Sequence, residues 1–373
     1  MKPDSIKELL DLYNPNAELE QAWTIPSPWY IDPRIAELER RTVFSRSWQV
    51  ACRASQVSEP GQYITTEIAG EPIVIVRGSD SVLRGFYNVC RHHAAAVMTE
   101  PEGTAQTLRC PYHGWTYSLA GELKGTPDLA GVRDFDRSAN GLLTVETSVW
   151  EKWIFVRLDN VSEAQTLESF LTQSLIEQIR PLTLDNLHWF ERRHYNFECN
   201  WKVFVDNYLD GGYHVPQLHK GLDSVLDYSN YMIENAERFC LQWSPLVSAG
   251  AEAQTGAVRK GERALYYWIY PNLMINWYDS AMDTNLVIPR GVDRTEVIFD
   301  FYFLDTSETA SEHNRASIEV GQRIQDEDVA ICHSVQRGLK SRAYTAGRLS
   351  VRREGGEHLF HRLLYADLKA GAA

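Results

Sequence analysis

The sequence predicts an α+β protein in two main parts: a small antiparallel β domain, then a larger domain mixing strand and helix. Three observations lead there. Residues 45–159 hold short alternating stretches, Tyr63-Ile64-Thr65-Thr66 and Ile73-Val74-Ile75-Val76, separated by Gly-Ser-Asp and Ala-Gly-Glu turns. From about residue 187, strand-like runs rich in aromatics alternate with helical patterns. A long helical pattern then runs from about 311 to 339.

Taken in order, residues 1–44 read as an N-terminal helical arm. Ser5 to Tyr13 is a short amphipathic helix, Pro26, Pro28 and Pro33 interrupt the stretch after it, and Pro33 to Phe44 is helical again. Trp153 to Leu158 is the strand that closes the β domain at 159. The remaining segment, 160–373, opens with a helix over 163–180, with Leu167, Phe170, Leu171, Leu175 and Ile179 on one side. His194 to Glu198 reads as a strand, and Asn200 to Tyr213 as a helix with Asn200 as N-cap. Leu265 to Tyr270, Met274 to Tyr278 and Val297 to Leu304 read as strands, and 311–339 as the final helix. No internal repeat or low-complexity segment is present.

Composition narrows the function classes. A chain of 373 residues that is 44% hydrophobic and 23% charged can bury a sizeable core. Its net charge of −13 argues against nucleic acid and anionic membrane as partners and is compatible with a cationic substrate. The six cysteines form no disulfide framework. No apolar run of about 18 residues predicts a membrane span. The N-terminus lacks the core of a signal peptide and the Arg/Ser bias of a transit segment, so a cytoplasmic location is expected.

The chemistry concentrates first in Cys90-Arg91-His92 and Cys110-Pro111-Tyr112-His113, a Cys-x-His and a Cys-x-x-His separated by seventeen residues. Two thiolates and two imidazoles suit a [2Fe–2S] cluster with cysteines on one iron and histidines on the other, the Rieske arrangement. Pro111 and Gly114 make a tight turn that brings backbone N–H groups towards the cluster, and Trp115 and Tyr117 can shield it. The ligand types alone also allow a structural zinc site. A zinc finger, however, places a pair of cysteines before a pair of histidines, whereas each limb here carries one of each.

The second concentration is Asn200 to His219. Asp206, Asp210 and His214 recur at four-residue steps and share one face of the expected helix. Pro216 is expected to break that helix, so that His214 and His219 can point at one ion. Two histidines and a carboxylate make the facial triad of a non-haem Fe(II) site that leaves positions open for O2. Asp328, on the late helix and followed by apolar residues, is the best donor, with Asp326 and Glu327 beside it.

With both sites in view, the chain resembles the oxygenase (α) subunits of the Rieske non-haem iron oxygenases over roughly residues 40–340. The cluster pair, Asn200-Trp201-Lys202 leading to His214 and His219, and Asp328 leading to Val335-Gln336-Arg337-Gly338-Leu339 carry the resemblance. It implies a Rieske domain beside a helix-grip catalytic domain, an antiparallel sheet with helices, usually as a homotrimer. It further implies that electrons pass from the cluster of one subunit to the iron of its neighbour through a bridging carboxylate. Many members place that acid three residues before the first iron histidine, where this chain has Gly211; Asp210 is the choice here and Asp206 the alternative. Members often carry Glu five residues after the ligand Asp, where this chain has His333.

Within the family the chain is similar to choline monooxygenases through Asp206 to Pro216, Tyr270 to Asn276 and Met282 to Val287. The resemblance implies oxidation of choline to betaine aldehyde with O2 and electrons from a ferredoxin or an NAD(P)H-dependent flavin or iron–sulfur reductase. Other expectations are demethylation of glycine betaine, carnitine or stachydrine, aromatic-ring hydroxylation, or a Rieske electron carrier. A trimethylammonium head offers no N–H, so aromatic faces must select it, at about 0.5–2 kcal/mol each. Tyr208, Tyr267, Trp268, Trp277, Tyr278, Phe301 and Tyr302 are the candidates, with Asp283 or Asn285 at the hydroxyl end.

Overall fold

Ile73, Val74, Ile75 and Val76 are all fully buried in the computed structural model, which describes residues 4–159, 165–247 and 261–372. Successive strand residues point to opposite faces, so this run feeds two cores at once. Ile73 and Ile75 pack with Ile64, Ile154 and Val156, while Val74 and Val76 pack with Phe86, Tyr117, Cys90 and Cys110. The strand therefore ties the cysteine-bearing side of its unit to the rest of that unit.

The chain divides into two compact units, Arg40–Phe170 and Met1–Glu39 with Leu171–Ala373. The N-terminal arm is thus shared: its first 39 residues belong with the C-terminal unit. In the smaller unit an antiparallel sheet orders its strands Gln49–Arg53, Trp153–Arg157, Thr144–Trp150, Leu83–Tyr87, Glu71–Arg77, Gln62–Ile68 and Glu102–Thr104. A three-stranded sheet of Leu108–Arg109, Thr116–Tyr117 and Leu123–Gly125 carries the second cysteine loop.

In the larger unit seven antiparallel strands lie in the order His188–Phe197, Arg294–Phe303, Ala281–Gly291, Leu273–Tyr278, Arg263–Ile269, Phe239–Pro245 and Met232–Asn235. The helices Trp201–Leu209, Ser311–Leu339 and Gly355–Ala372 belong to the same unit. No helix among the described residues is long and apolar enough to cross a membrane.

Several elements differ from the sequence expectation. The helix expected over 163–180 is two short ones, Leu167–Leu171 and Gln173–Ile179, because Thr172 adopts φ +70 between them; residues 163 and 164 lie outside the described residues. The Asn200-capped helix stops at Leu209 rather than Tyr213, since Gly211 and Gly212 take φ of +67 and +68, outside the right-handed helical region. Pro216 does not break a helix but occupies the first turn of a new one, Val215–Leu218, where its missing N–H costs nothing. The helix over 311–339 is not the last, because Gly355–Ala372 comes after it and buries Phe360, Leu364 and Leu368.

The Asn200-capped helix is anchored at its start. Asn200 Oδ1 accepts from Lys202 N at 3.2 Å, and Asn200 N donates to Gln336 Oε1 at 2.9 Å. Lys202 and Glu39, both buried, pair at 2.5 Å, and Trp201 Nε1 donates to the same carboxylate at 2.9 Å. Burial pushes the Lys202 ammonium below its ordinary range against the pull of Glu39. Breaking such a pair leaves a buried charge without its partner. Glu39→Gln is expected to lower the stability of this unit by about 3–5 kcal/mol, and adding Lys202→Met to recover much of the loss. The denaturant midpoint of this unit's unfolding transition reads both effects.

Candidate metal centres

The first centre grows from two loops. Cys90 and His92 follow strand Leu83–Tyr87, and Cys110 and His113 lie between Leu108–Arg109 and Thr116–Tyr117. Backbone bonds close both: Cys90 N donates to Ala95 O at 2.8 Å and Cys110 N to Trp115 O at 2.9 Å. Gly114 N donates to Cys110 O at 3.1 Å with φ +72, a left-handed turn that suits glycine. The rings of His92 and His113 lie 4.7 Å apart, and His92 stacks flat on buried Trp115. The Tyr117 hydroxyl lies 3.4 Å from Cys90 Sγ and accepts from Arg91 N at 3.0 Å. Burial pushes the Cys110 thiol up, while the backbone N–H groups of Tyr112 and His113 pull it down.

These residues fit a [2Fe–2S] cluster. Each limb offers one buried sulfur and one imidazole. His92 Nδ1 is buried with no hydrogen-bond partner, and such an orphaned atom calls for a ligand. Among the described residues no disulfide joins any of the six buried cysteines.

The second centre brings together His214, His219 and Asp328, whose donor atoms all lie within 4.8 Å of one another. Asp210 Oδ2 accepts from His214 Nδ1 at 2.6 Å and from His214 N at 3.0 Å. Glu327 Oε2 lies 2.5 Å from His219 Nδ1, and His219 Nε2 faces Asp328 Oδ1 at 3.1 Å. With both Nδ1 atoms held by carboxylates, both Nε2 atoms are left for a metal. Asp328 is buried and fixed by Asn207 Nδ2 at 2.9 Å and Gln325 Nε2 at 3.3 Å. Burial opposes the charged form of His219, but Asp328 and Glu327 outweigh it and raise the imidazole above its ordinary range. Two imidazoles and one carboxylate, held this way, suit Fe(II).

Asp206, the alternative bridging acid, is turned elsewhere: its Oδ2 accepts from Tyr30 Oη at 2.6 Å, and its Oδ1 lies 3.0 Å from His361 Nε2. The absent acid at Gly211 also has a physical reason. A Cβ there would lie 2.1 Å from the backbone oxygen of Arg353, so no side chain fits. The carboxylate sits one residue earlier, on Asp210. His333, the other departure, accepts from Glu198 N at 2.8 Å and ties the long helix to the chain just before Asn200.

A cavity of about 110 Å³ is lined by all three donors. Of the expected substrate residues, Tyr208, Tyr278, Asp283, Asn285 and Phe301 line it. Tyr267, Trp268, Trp277 and Tyr302 are not among its lining residues. Alternation explains three of these four: Tyr266, Tyr278 and Phe301 line the cavity, so their neighbours Tyr267, Trp277 and Tyr302 face the other side of the sheet. Trp268 shares a face with Tyr266 but is fully buried against Phe360 of the last helix. Asp283 Oδ2 accepts from Asn276 Nδ2 at 2.6 Å and Asn285 Nδ2 at 3.2 Å, and Tyr208 Oη donates to Asn276 Oδ1 at 2.8 Å. Burial, then the negative charge of neighbours including Asp283, pushes the Tyr208 hydroxyl well up.

Sequence reasoning missed Glu327 as an orienting group and Asn207 as a brace for Asp328. Glu327 stood beside Asp328 as a competing donor, and only its contact with His219 Nδ1 separates the roles. Asp326 instead accepts from Gln322 Nε2 at 2.9 Å. Glu327→Gln is expected to weaken metal retention at this centre by about 10–100-fold, and Asp326→Asn to leave it unchanged. Competition with a chelator measures both.

Comparison with known proteins places these sites in context. Residues 47–136 match the Rieske [2Fe-2S] domain and residues 184–369 the ring hydroxylating alpha subunit (catalytic domain). A chloroplastic choline monooxygenase of Arabidopsis thaliana is 38% identical over 373 residues, covering 98% of this chain and 87% of that protein. The oxygenase subunit of carnitine monooxygenase from Escherichia coli (strain K12) is 30% identical over 361 residues, covering 93% of this chain and 94% of its own. A solved quaternary ammonium Rieske monooxygenase, described in terms of carnitine oxidation and inter-subunit electron transfer, superposes with a TM-score of 0.82 at 28% identity. That match covers 95% of this chain and 96% of the other.

Proposed function

Because the chain belongs to the Rieske non-haem iron oxygenase alpha subunits, we propose that it hydroxylates choline at the carbinol carbon to give betaine aldehyde hydrate. O2 is the co-substrate, and a ferredoxin or an NAD(P)H-dependent reductase supplies two electrons. In this reading Cys90, His92, Cys110 and His113 hold a [2Fe–2S] cluster that stores single electrons, and His214, His219 and Asp328 hold the iron that activates O2.

The observation that carries the substrate class is Asp283. It is a buried carboxylate in a cavity also lined by Tyr208, Tyr278 and Phe301. The side-chain amides of Asn276 and Asn285 donate to it and fix its orientation. A fixed negative charge among aromatic faces attracts an ammonium ion that has no N–H to donate. Choline is favoured over carnitine for a further reason. Carnitine also carries a carboxylate, yet no Lys or Arg is among the described residues lining the cavity, and Asp283 would repel it.

Asp210 has two tasks in this reading. It keeps the ring proton of His214 on Nδ1, and its Oδ1, which takes Tyr213 N at 3.1 Å, has a second lone pair to offer. In a homotrimer that lone pair receives a cluster histidine of the neighbouring subunit, His113 or His92, and so joins the two centres. Asn207 and Gln325 hold Asp328 in one orientation throughout.

Choline is expected to stimulate O2 uptake and to yield betaine aldehyde; stimulation by carnitine but not choline would overturn the substrate assignment. In the Asp283→Asn protein the KM for choline is expected to rise about tenfold, equivalent to ~1.4 kcal/mol, with kcat less affected. The Asp210→Ala protein is expected to keep both metals, by iron analysis, and to lose choline-dependent turnover by about 10–100-fold. An unchanged rate would overturn the linking role of Asp210.

A further inference from the structure

Asp206, released from the iron centre, belongs to a second set of donors. Its Oδ1 lies 3.0 Å from His361 Nε2, and Glu357 Oε1 lies 3.8 Å from the same nitrogen. The donor atoms of all three residues lie within 4.8 Å of one another. His361 is 0% exposed and Glu357 5%. Asp206 and Glu357 line a cavity of about 170 Å³ that Tyr30 and Tyr344 also border, and Asn207 lines both this cavity and the one at the iron centre.

Glu357 is the member that ordinary packing does not explain. It is buried, and its one ion-pair contact among the described residues is to His361 Nε2, at the long distance of 3.8 Å. A buried carboxylate beside a second one needs either a proton or a cation. Donor atoms about 2.1 Å from one first-row cation stand roughly 3–4 Å apart, and the two contacts of His361 Nε2, at 3.0 and 3.8 Å, lie in that range. Burial, followed by the charges of Asp206, Glu354 and Asp210, disfavours ionised Glu357 when no cation is present.

We propose that Asp206, Glu357 and His361 form a second divalent-cation site, distinct from that of His214, His219 and Asp328 and suited to a first-row ion such as Mn(II). One imidazole with two carboxylates matches that class of ion. Nε2 of His361 ligates, and the ring proton remains on Nδ1. Tyr30, donating to the outer oxygen of Asp206, keeps that carboxylate aimed inward. The ion cross-links the helices Trp201–Leu209 and Gly355–Ala372.

The test is a Mn(II) titration of the holoprotein with both iron centres loaded, reading free Mn(II) by its EPR signal. One additional Mn(II) per chain is expected, with nitrogen coupling in the pulsed EPR spectrum from a bound imidazole. Glu357→Gln is expected to weaken uptake at least tenfold, and His361→Gln to remove the nitrogen coupling. Cluster absorption and far-UV circular dichroism report that each variant is folded, and Asp206→Asn replaces either one that is not. No uptake by the wild-type protein, or uptake that Glu357→Gln leaves unchanged, would overturn the proposal.

Discussion

The candidate iron centre depends on which nitrogen of each histidine is free. An imidazole has two, and a metal site requires one nitrogen of each ring to face inward, with the choice set by what the other nitrogen bonds. Carboxylates settle the matter by holding Nδ1: Asp210 for His214 and Glu327 for His219. The two clamps come from different places in the chain, one four residues before its histidine and the other on the long helix. Each ring is therefore fixed independently, and His219 Nε2 faces Asp328 while the donor atoms of all three residues gather within 4.8 Å. Without these bonds the same residues would be two histidines near an aspartate.

The fold serves that constraint by ending a helix early. The segment from Asn200 must stop before His214 so that the chain can turn and present both rings. Gly211 and Gly212 permit the turn, and the close backbone oxygen of Arg353 forbids any side chain at Gly211. The start of the same helix is locked by the Asn200 cap, by Gln336 and by the buried Lys202–Glu39 pair. A helix fixed at one end and released at the other places Asn207 against Asp328 and Asp210 against His214. The absence of an acid at Gly211 is thus imposed by space, and the nearest carboxylate stands one residue earlier on Asp210.

Much of this was legible in the sequence, because ligand chemistry leaves close-range marks. The cysteine–histidine limbs and the pair His214 and His219 stand at spacings that few other demands explain, and the structure assembles His214, His219 and Asp328 as expected. Face assignment on the strands was less legible. Aromatic residues fill both sides of the sheet, so Tyr267 and Trp277 looked equivalent to Tyr278 until the register separated them. Helix ends were also obscure: Asp206, Asp210 and His214 look like one face only if the helix continues past Leu209, which it does not. The last helix carries a helical spacing, Phe360, Leu364 and Leu368 at four-residue steps, that the sequence reading does not use; the role of Glu327 depended on a tertiary partner distant in sequence.

Cys90 and Cys110 are members of the same core as Val74, Val76, Phe86 and Tyr117. Their sulfurs are wall material for the interior of that unit as well as the proposed donors to the cluster. In the proposed reading, loading the cluster and packing this interior are coupled, because the empty site would leave two buried thiols and the orphaned Nδ1 of His92 at its edge. Loss of the centre by oxidation would be felt as a loosened interior before it registered as a missing electron carrier.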